Sequence, residues 1–280
     1  MAHDEMLFII IHQSYELWFK QVLFEVNSII EIMDKPRVND NSGDMQAVVH
    51  RLNRVVTILR MLVQKIDKVL EARLGLKFDN RFGQQYYLSQ LNQKEIDIIK
   101  NAEKGKSVVQ LLNSWLERMP FAEDKKYWPE EHNYWTEYEK IFTGSLSEAE
   151  KNNAAFFKHY LFTNDNNAER SLSSKACRSA LFIMLYRGYP MLELPFQLLN
   201  TLLEVDHQLG NWRYRHINMV RRMIGTRIGT GGSTGADYLQ GAMNKHYIFK
   251  EISQIGSFLI ERRKLPALNE SLTKDMGYGF

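Results

Sequence analysis

The chain has 280 residues, 44% hydrophobic and 25% charged, an ordinary globular balance with enough apolar material for one large domain or two small ones. Lys and Arg number 36 against 33 Asp and Glu, and the net charge of +3 is too small to point to nucleic acid as a partner. Cys177 stands alone, which excludes an intrachain disulfide framework and makes a reducing, cytoplasmic compartment the simplest expectation, while no secretory pattern opens the chain and no apolar run reaches the roughly 18 residues of a membrane span.

The first expected element is a long helix over His3 to Met33. Leu7, Phe8, Ile9, Ile10 and Ile11 are apolar on every side, which predicts deep burial in a helical assembly. Phe8 and His12 are four residues apart and share a face. A histidine on a buried helix is, by spacing alone, more often a hydrogen-bonded core residue than a functional one. Pro36 and the run from Asn39 to Gly43 break the chain before a second helix over Met45 to Leu70, with Val48, Leu52, Val55, Val56 and Leu59 on its apolar face. Further helix is expected over Asn92 to Met119, interrupted at Lys104-Gly105-Lys106 and stopped by Pro120. Phe121 to Asn133 reads as a loop, Tyr134 to Phe142 and Glu148 to Phe162 as helices, and the polar stretch Thr163 to Ser174 as a candidate mobile loop. Cys177 to Tyr186 is apolar enough for a buried helix, closed by Gly188 and Pro190. Leu198 to Leu209 leads into a central helix, and Gln240 to Ile260 reads as an amphipathic helix before Pro266. No internal repeat and no alternating β pattern is visible, so the class is all-α.

The central stretch, Trp212 to Gly235, is WRYRHINMVRRMIGTRIGTGGSTG. Tyr214, Ile217, Met219, Val220, Met223 and Ile224 recur at helical spacing between arginines, and Gly225 is a stop signal. The loop Gly229 to Gly235 offers bare backbone amides and hydroxyls that a ligand can approach closely. It lacks the Lys and the preceding strand of a Walker loop, and by itself it is also compatible with a plain linker between helices. His216 is either a surface histidine among arginines or a ligand, and no HExxH or CxxC spacing suggests zinc.

RYRHINMVRRMIG followed by GTGGSTG closely resembles the haem-ligand region of the tryptophan 2,3-dioxygenases. HDEMLFIIIHQSYELWFKQ, from His3 to Gln21, resembles that family's distal-pocket helix, and RLNRVVTILRMLV, WLERMP and PFQLL match further stretches. The resemblance implies a single all-α domain over 1–280, a large helical bundle enclosing a haem pocket. It implies haem b (iron protoporphyrin IX) as cofactor, with His216 as axial ligand of the iron, and L-tryptophan and O2 as substrates. The implied reaction inserts both oxygen atoms across the indole C2–C3 bond to give N-formyl-L-kynurenine, the first step of tryptophan catabolism by the kynurenine pathway. His12 matches the distal histidine that faces the indole N–H, Phe8 an apolar wall of the substrate site, and Thr230 the threonine that contacts the substrate's ammonium and carboxylate. Trp212 and Tyr238 fall at positions associated with the haem pocket, or are core packing. The family assembles as a homotetramer, and the resemblance implies neither a nucleic-acid nor a membrane partner.

Two departures stand out. The family's N-terminal tyrosine-containing arm has no match before Met1. Between Glu71 and Arg73 the chain skips the segment that carries the family's F-x-x-F-R motif and its substrate-carboxylate arginine. Either that segment is deleted, or the sequence joins pieces that the full protein separates, which predicts a Cα step at Glu71–Ala72 or Ala72–Arg73 well beyond about 3.8 Å. A haem-binding or sensor protein of the same fold without turnover, or a helical scaffold with neither, are the alternative expectations.

Overall fold

The computed structural model describes residues 3–61, 73–75, 92–119, 121, 125–128, 134–163, 170–224 and 247–277; within helices, the side chains at 3–12, 14, 15, 61, 95, 216, 219, 220, 223 and 224 fall outside that description. Among the described residues all regular structure is helical, as the sequence pattern requires. The chain forms two compact units, one of residues 1–34, 50–108 and 201–248, the other of residues 35–49, 109–200 and 249–280.

The first unit is built on α1 (His3–Met33), α2 (Gly43–Met61) from His50 onward, α3 (Gln93–Lys104) and, from Thr201 onward, the later long helix. Phe19, Val22, Val26, Ile29, Ile32 and Met33 are buried at the three- and four-residue spacing of one helix face. That face also carries Glu25, 2% exposed, which accepts a hydrogen bond from Arg54 at 2.7 Å and another from Gln21 at 2.8 Å. Arg51 donates to the Ser28 carbonyl at 3.3 Å, so two arginines of α2 hold the last turns of α1. The residues around Leu7 expected to be buried lie outside the described side chains. Farther along, α1 leaves Leu17, Trp18 and Phe24 exposed. Gly75 adopts φ 117°, which a side chain rarely tolerates, and a Cβ on Gly105 would meet Arg73 at 2.9 Å; Gly105 ends α3 where the sequence places the break.

The second unit holds α4 (Val108–Glu117) from Val109, α5 (Tyr134–Ser145), α6 (Asn152–Phe162), α7 (Ser174–Leu185), the first turns of α8 (Pro190–Ile224), α9 (Lys250–Ile255) and α10 (Glu270–Met276). Its core is aromatic. Tyr134 touches Trp135 edge-on at 4.9 Å and Phe182 at 5.6 Å, Phe142 stacks on Phe157 at 4.7 Å, and Phe258 closes on both. The buried hydroxyls are placed: Tyr138 donates to the Phe258 carbonyl at 2.7 Å and Tyr186 to the Pro266 carbonyl at 3.0 Å. Cys177 is fully buried on α7, and desolvation pushes its thiol up to about 12, which makes it inert.

Three expectations need correction. Leu198 to Leu209 does not merely lead into the central helix but lies within it: α8 is one helix of 35 residues opening at Pro190, whose missing N–H costs nothing in a first turn, and it runs on through Pro195. Gln240 to Ile260 is not one amphipathic helix: Tyr247 to Phe249 are non-helical, α9 covers only Lys250–Ile255, and a 3-10 turn follows at Gly256–Phe258. The reason is that the Ile248 amide donates to the Asp206 carboxylate at 3.0 Å, which takes it out of any helix ladder. The stretch Thr163 to Ser174 lies in part outside the described residues, yet Arg170 is held firmly. It donates to the carbonyls of His159, Tyr160 and Thr163 at 2.7, 2.9 and 3.1 Å, capping the end of α6. The Glu71–Ala72–Arg73 junction falls outside the described residues.

Candidate active site

The two sequence blocks that carry chemistry lie on α1 and α8, both in the first unit. On α1, Phe8 and His12 stand one turn apart on an unbroken helix, about 6 Å along its axis. Their side chains lie outside the described residues. What fixes their helix is described: the buried Glu25 with its two donors, and the apolar face from Phe19 to Met33 packed beneath it.

On α8 the buried stripe from Thr201 onward is Thr201, Leu202, Val205, Asp206, Leu209, Arg213 and Ile217. Tyr214 is 58% exposed, and Arg215, Arg221 and Arg222 are exposed. His216 stands on this helix one residue before buried Ile217 and three after buried Arg213; its own side chain is outside the described residues. Trp212 is half-buried, with its indole nitrogen shielded from solvent. A turn or two earlier, Glu204 accepts from Arg60 of α2 at 2.7 Å and from Gln208 at 2.7 Å, and those bonds, Arg60's first, hold its carboxyl below the usual range. His207 pairs with Asn211 at 3.0 Å on the exposed side. Thr230 and Tyr238 lie outside the described residues. Among the described residues no trio of His, Cys, Asp or Glu gathers to hold a metal ion, and no helix is long and apolar enough to cross a membrane.

Two polar residues in this unit were missed from the sequence, Glu25 and Asp206. The signal was present in both cases. Each is a lone carboxylate set into an apolar stripe, Glu25 beside Val22, Val26 and Ile29, Asp206 beside Leu202, Val205 and Leu209. A charge in that position must be partnered when the stripe is buried.

A family model described as tryptophan 2,3-dioxygenase matches residues 1–69 and 147–259, which include α1 and α8. The chain belongs to the tryptophan 2,3-dioxygenase family. It is 35% identical to the tryptophan 2,3-dioxygenase of Alteromonas mediterranea over 328 aligned residues, covering 99% of this chain and 90% of that protein. It is 31% identical to that of Bdellovibrio bacteriovorus, over 100% of this chain and 91% of the relative, and 32% identical to that of Mus musculus, over 97% and 79%. The chain is thus an enzyme, a dioxygenase. The 328-residue aligned span exceeds the 280 residues of the chain, so the relative carries residues with no counterpart here. Residues 70–146, which begin beside the junction at Glu71 to Arg73, fall between the two matched stretches.

Proposed function

We propose that the chain is a cytoplasmic, haem-dependent dioxygenase that inserts O2 across the C2–C3 bond of L-tryptophan to give N-formyl-L-kynurenine, working as one domain over 1–280 and as a homotetramer. The observation that carries this is the match of both chemistry-bearing blocks to the family, one on α1 and the other on the part of α8 from Thr201 onward, which belong to the same compact unit. The donor set fits haem. A single imidazole at His216 would be a suitable iron ligand, its other ring N–H able to donate a hydrogen bond. It stands on an unbroken helix beside the buried Arg213 and the half-buried Trp212. Trp212 and Tyr238 complete the proposed cofactor environment. Haem b, held by His216, would supply the redox chemistry that activates O2.

The chain's own residues bind and orient the substrate. The indole N–H donates to an imidazole nitrogen of His12, which aligns the ring and is not required as a base. Phe8 lies one turn before it on the same helix and forms an apolar wall that keeps water from the indole face. Thr230 takes the polar end of the amino acid: the ammonium donates to its hydroxyl oxygen and its backbone N–H donates to the carboxylate. The exposed Leu17, Trp18 and Phe24 of α1 support assembly with further copies of the chain.

The test is turnover. The purified chain, reconstituted with haem and reduced, is given L-tryptophan in air, and formation of N-formylkynurenine is followed by absorbance. Haem uptake without product would favour the sensor alternative, which the names carried by the relatives do not.

A further inference from the structure

Arg170 and Glu251 have no part in the reaction proposed above, and both belong to the second unit. Glu251 lies in the first turn of α9 and is 1% exposed. Its Oε1 accepts the N–H of Ser171, the residue after Arg170, at 2.8 Å. Its Oε2 is shielded from solvent and has no hydrogen-bond partner among the described residues. Arg170 shows the complementary pattern. Its Nη1 donates to the His159 and Thr163 carbonyls at 2.7 and 3.1 Å, and its Nη2 to the Tyr160 carbonyl at 2.9 Å and the Ser174 hydroxyl at 3.1 Å. The remaining guanidinium N–H, on Nε, is shielded from solvent and unpartnered among the described residues.

The two atoms are a donor on a cation and an acceptor on an anion, and they border the same two side chains. Arg170 Cζ lies 5.5 Å from the centre of the Tyr160 ring, and its Nη2 lies 4.0 Å from Cys177 Sγ. Burial is the main cause that raises the Cys177 thiol and the Tyr160 hydroxyl above their ordinary values, and both groups also feel the two charges, Glu251 raising and Arg170 lowering them. The pair nevertheless makes no direct bond. To reach Glu251, Arg170 would have to leave the carbonyls at the end of α6; to reach Arg170, Glu251 would have to leave the Ser171 amide. A buried charged group with an unmet hydrogen bond is destabilising. What satisfies a fixed donor and a fixed acceptor together is a small molecule that accepts on one side and donates on the other. Water does both, and ordering one costs less than leaving both atoms unmet.

We propose that Arg170 and Glu251 form a built site for one buried water molecule, which accepts the Arg170 Nε–H and donates to Glu251 Oε2. The Tyr160 hydroxyl and the Cys177 sulfur border the site. The result is a water-mediated ion pair that joins the C-terminal end of α6 to α9 beside the start of α7.

The experiment is diffraction from crystals of the full chain at a resolution that shows ordered solvent. A solvent peak should stand about 2.5–3.2 Å from both Arg170 Nε and Glu251 Oε2. A direct bond between those two atoms overturns the proposal, as do two waters bound separately, a side chain filling the gap, or no density between them. In solution, oxygen-17 relaxation dispersion counts the waters held inside the parent and inside Glu251→Met, and the variant should hold one fewer. An unchanged count in a folded Glu251→Met also overturns the proposal. Should that variant fail to fold, the crystal of the parent decides alone. Neither readout depends on turnover, so a parent that forms no N-formylkynurenine sinks the dioxygenase reading and leaves this one to its own test.

Discussion

Arg54 of α2 donates to Glu25 of α1 at 2.7 Å, and the two ends of this bond live in different surroundings: the Glu25 side chain is 3% exposed, the Arg54 side chain 49%. Removing either partner breaks the same bond, but the groups left behind differ. Arg54→Ala leaves a buried carboxylate that keeps the Gln21 amide as donor but loses its charged partner, whereas Glu25→Ala leaves an arginine that can turn to water. Arg54→Ala should therefore cost about 2–3 kcal/mol and Glu25→Ala about 1 kcal/mol less, since an uncompensated buried charge is worse than a released exposed one. Urea denaturation of both variants checks the order. Equal losses would mean the bond matters only as a bond and burial of the acid does not.

Asp40 makes a second prediction, in the turn before α2. Burial pushes its carboxyl up to about 6, against the opposing influence of a hydrogen bond with Trp115 and the charge of Arg118. Because the folded value lies above the ordinary value of 3.8, the folded state holds the proton more tightly than the unfolded chain. The resulting stability is present in full below the ordinary value and is lost as pH rises through about 6. Asp40→Asn removes the charge at every pH. It should be more stable than the parent at pH 7.5 by about 1–3 kcal/mol, with the gap closing toward pH 4. Denaturant midpoints measured at both pH values test this; a parent whose stability rises from pH 4 to pH 7 relative to Asp40→Asn contradicts it.

The all-α class and most helix positions were legible because they depend on local spacing. His3–Met33 is written in its apolar periodicity, and the end of the third helix in the Lys104-Gly105-Lys106 break. What was not legible depends on partners distant in sequence. Gln240 to Ile260 has a helical pattern, but Asp206 claims the Ile248 amide from 42 residues away, and no periodicity records that. The polar run Thr163 to Ser174 looks like loose chain until Arg170 is seen to cap α6. The candidate site was read from motif resemblance, which places His12 and His216 on helices without saying what holds those helices still.

The two histidines are expected to separate cofactor binding from substrate binding. His216→Ala should lose stable haem binding while far-ultraviolet circular dichroism stays helical, because the proposed iron ligand is removed from a helix whose burial rests on Leu202, Val205, Leu209, Arg213 and Ile217. His12→Ala should take up haem as the parent does and lose tryptophan affinity or turnover. Haem titration followed at the Soret band, with tryptophan titration on the same samples, distinguishes them. Equal haem uptake by His216→Ala and the parent would remove His216 as the ligand, and loss of haem in His12→Ala would mean that the two faces are assigned the wrong way round.

Leu17 and Phe24 are each 67% exposed on α1 and stand seven residues apart, two turns along the same face; Trp18, at 43%, flanks them. On the same helix Phe19, Val22 and Val26 are fully or nearly buried, so the single chain has used one face for its own core and leaves a second apolar face to water. Exposed large apolar side chains such as these are stabilised by cover from another copy, and repetition of the same contact about closed symmetry axes gives a defined oligomer. The parent should run as a tetramer in light scattering at micromolar concentration. Leu17→Glu combined with Phe24→Glu places two charges in the covered face and should shift the mass to dimer or monomer, with helix content preserved because neither residue belongs to the core of its own chain. Single substitutions should shift it less. A tetramer of unchanged mass in the double variant would move the interface off this face of α1, and a monomeric parent would remove the assembly altogether.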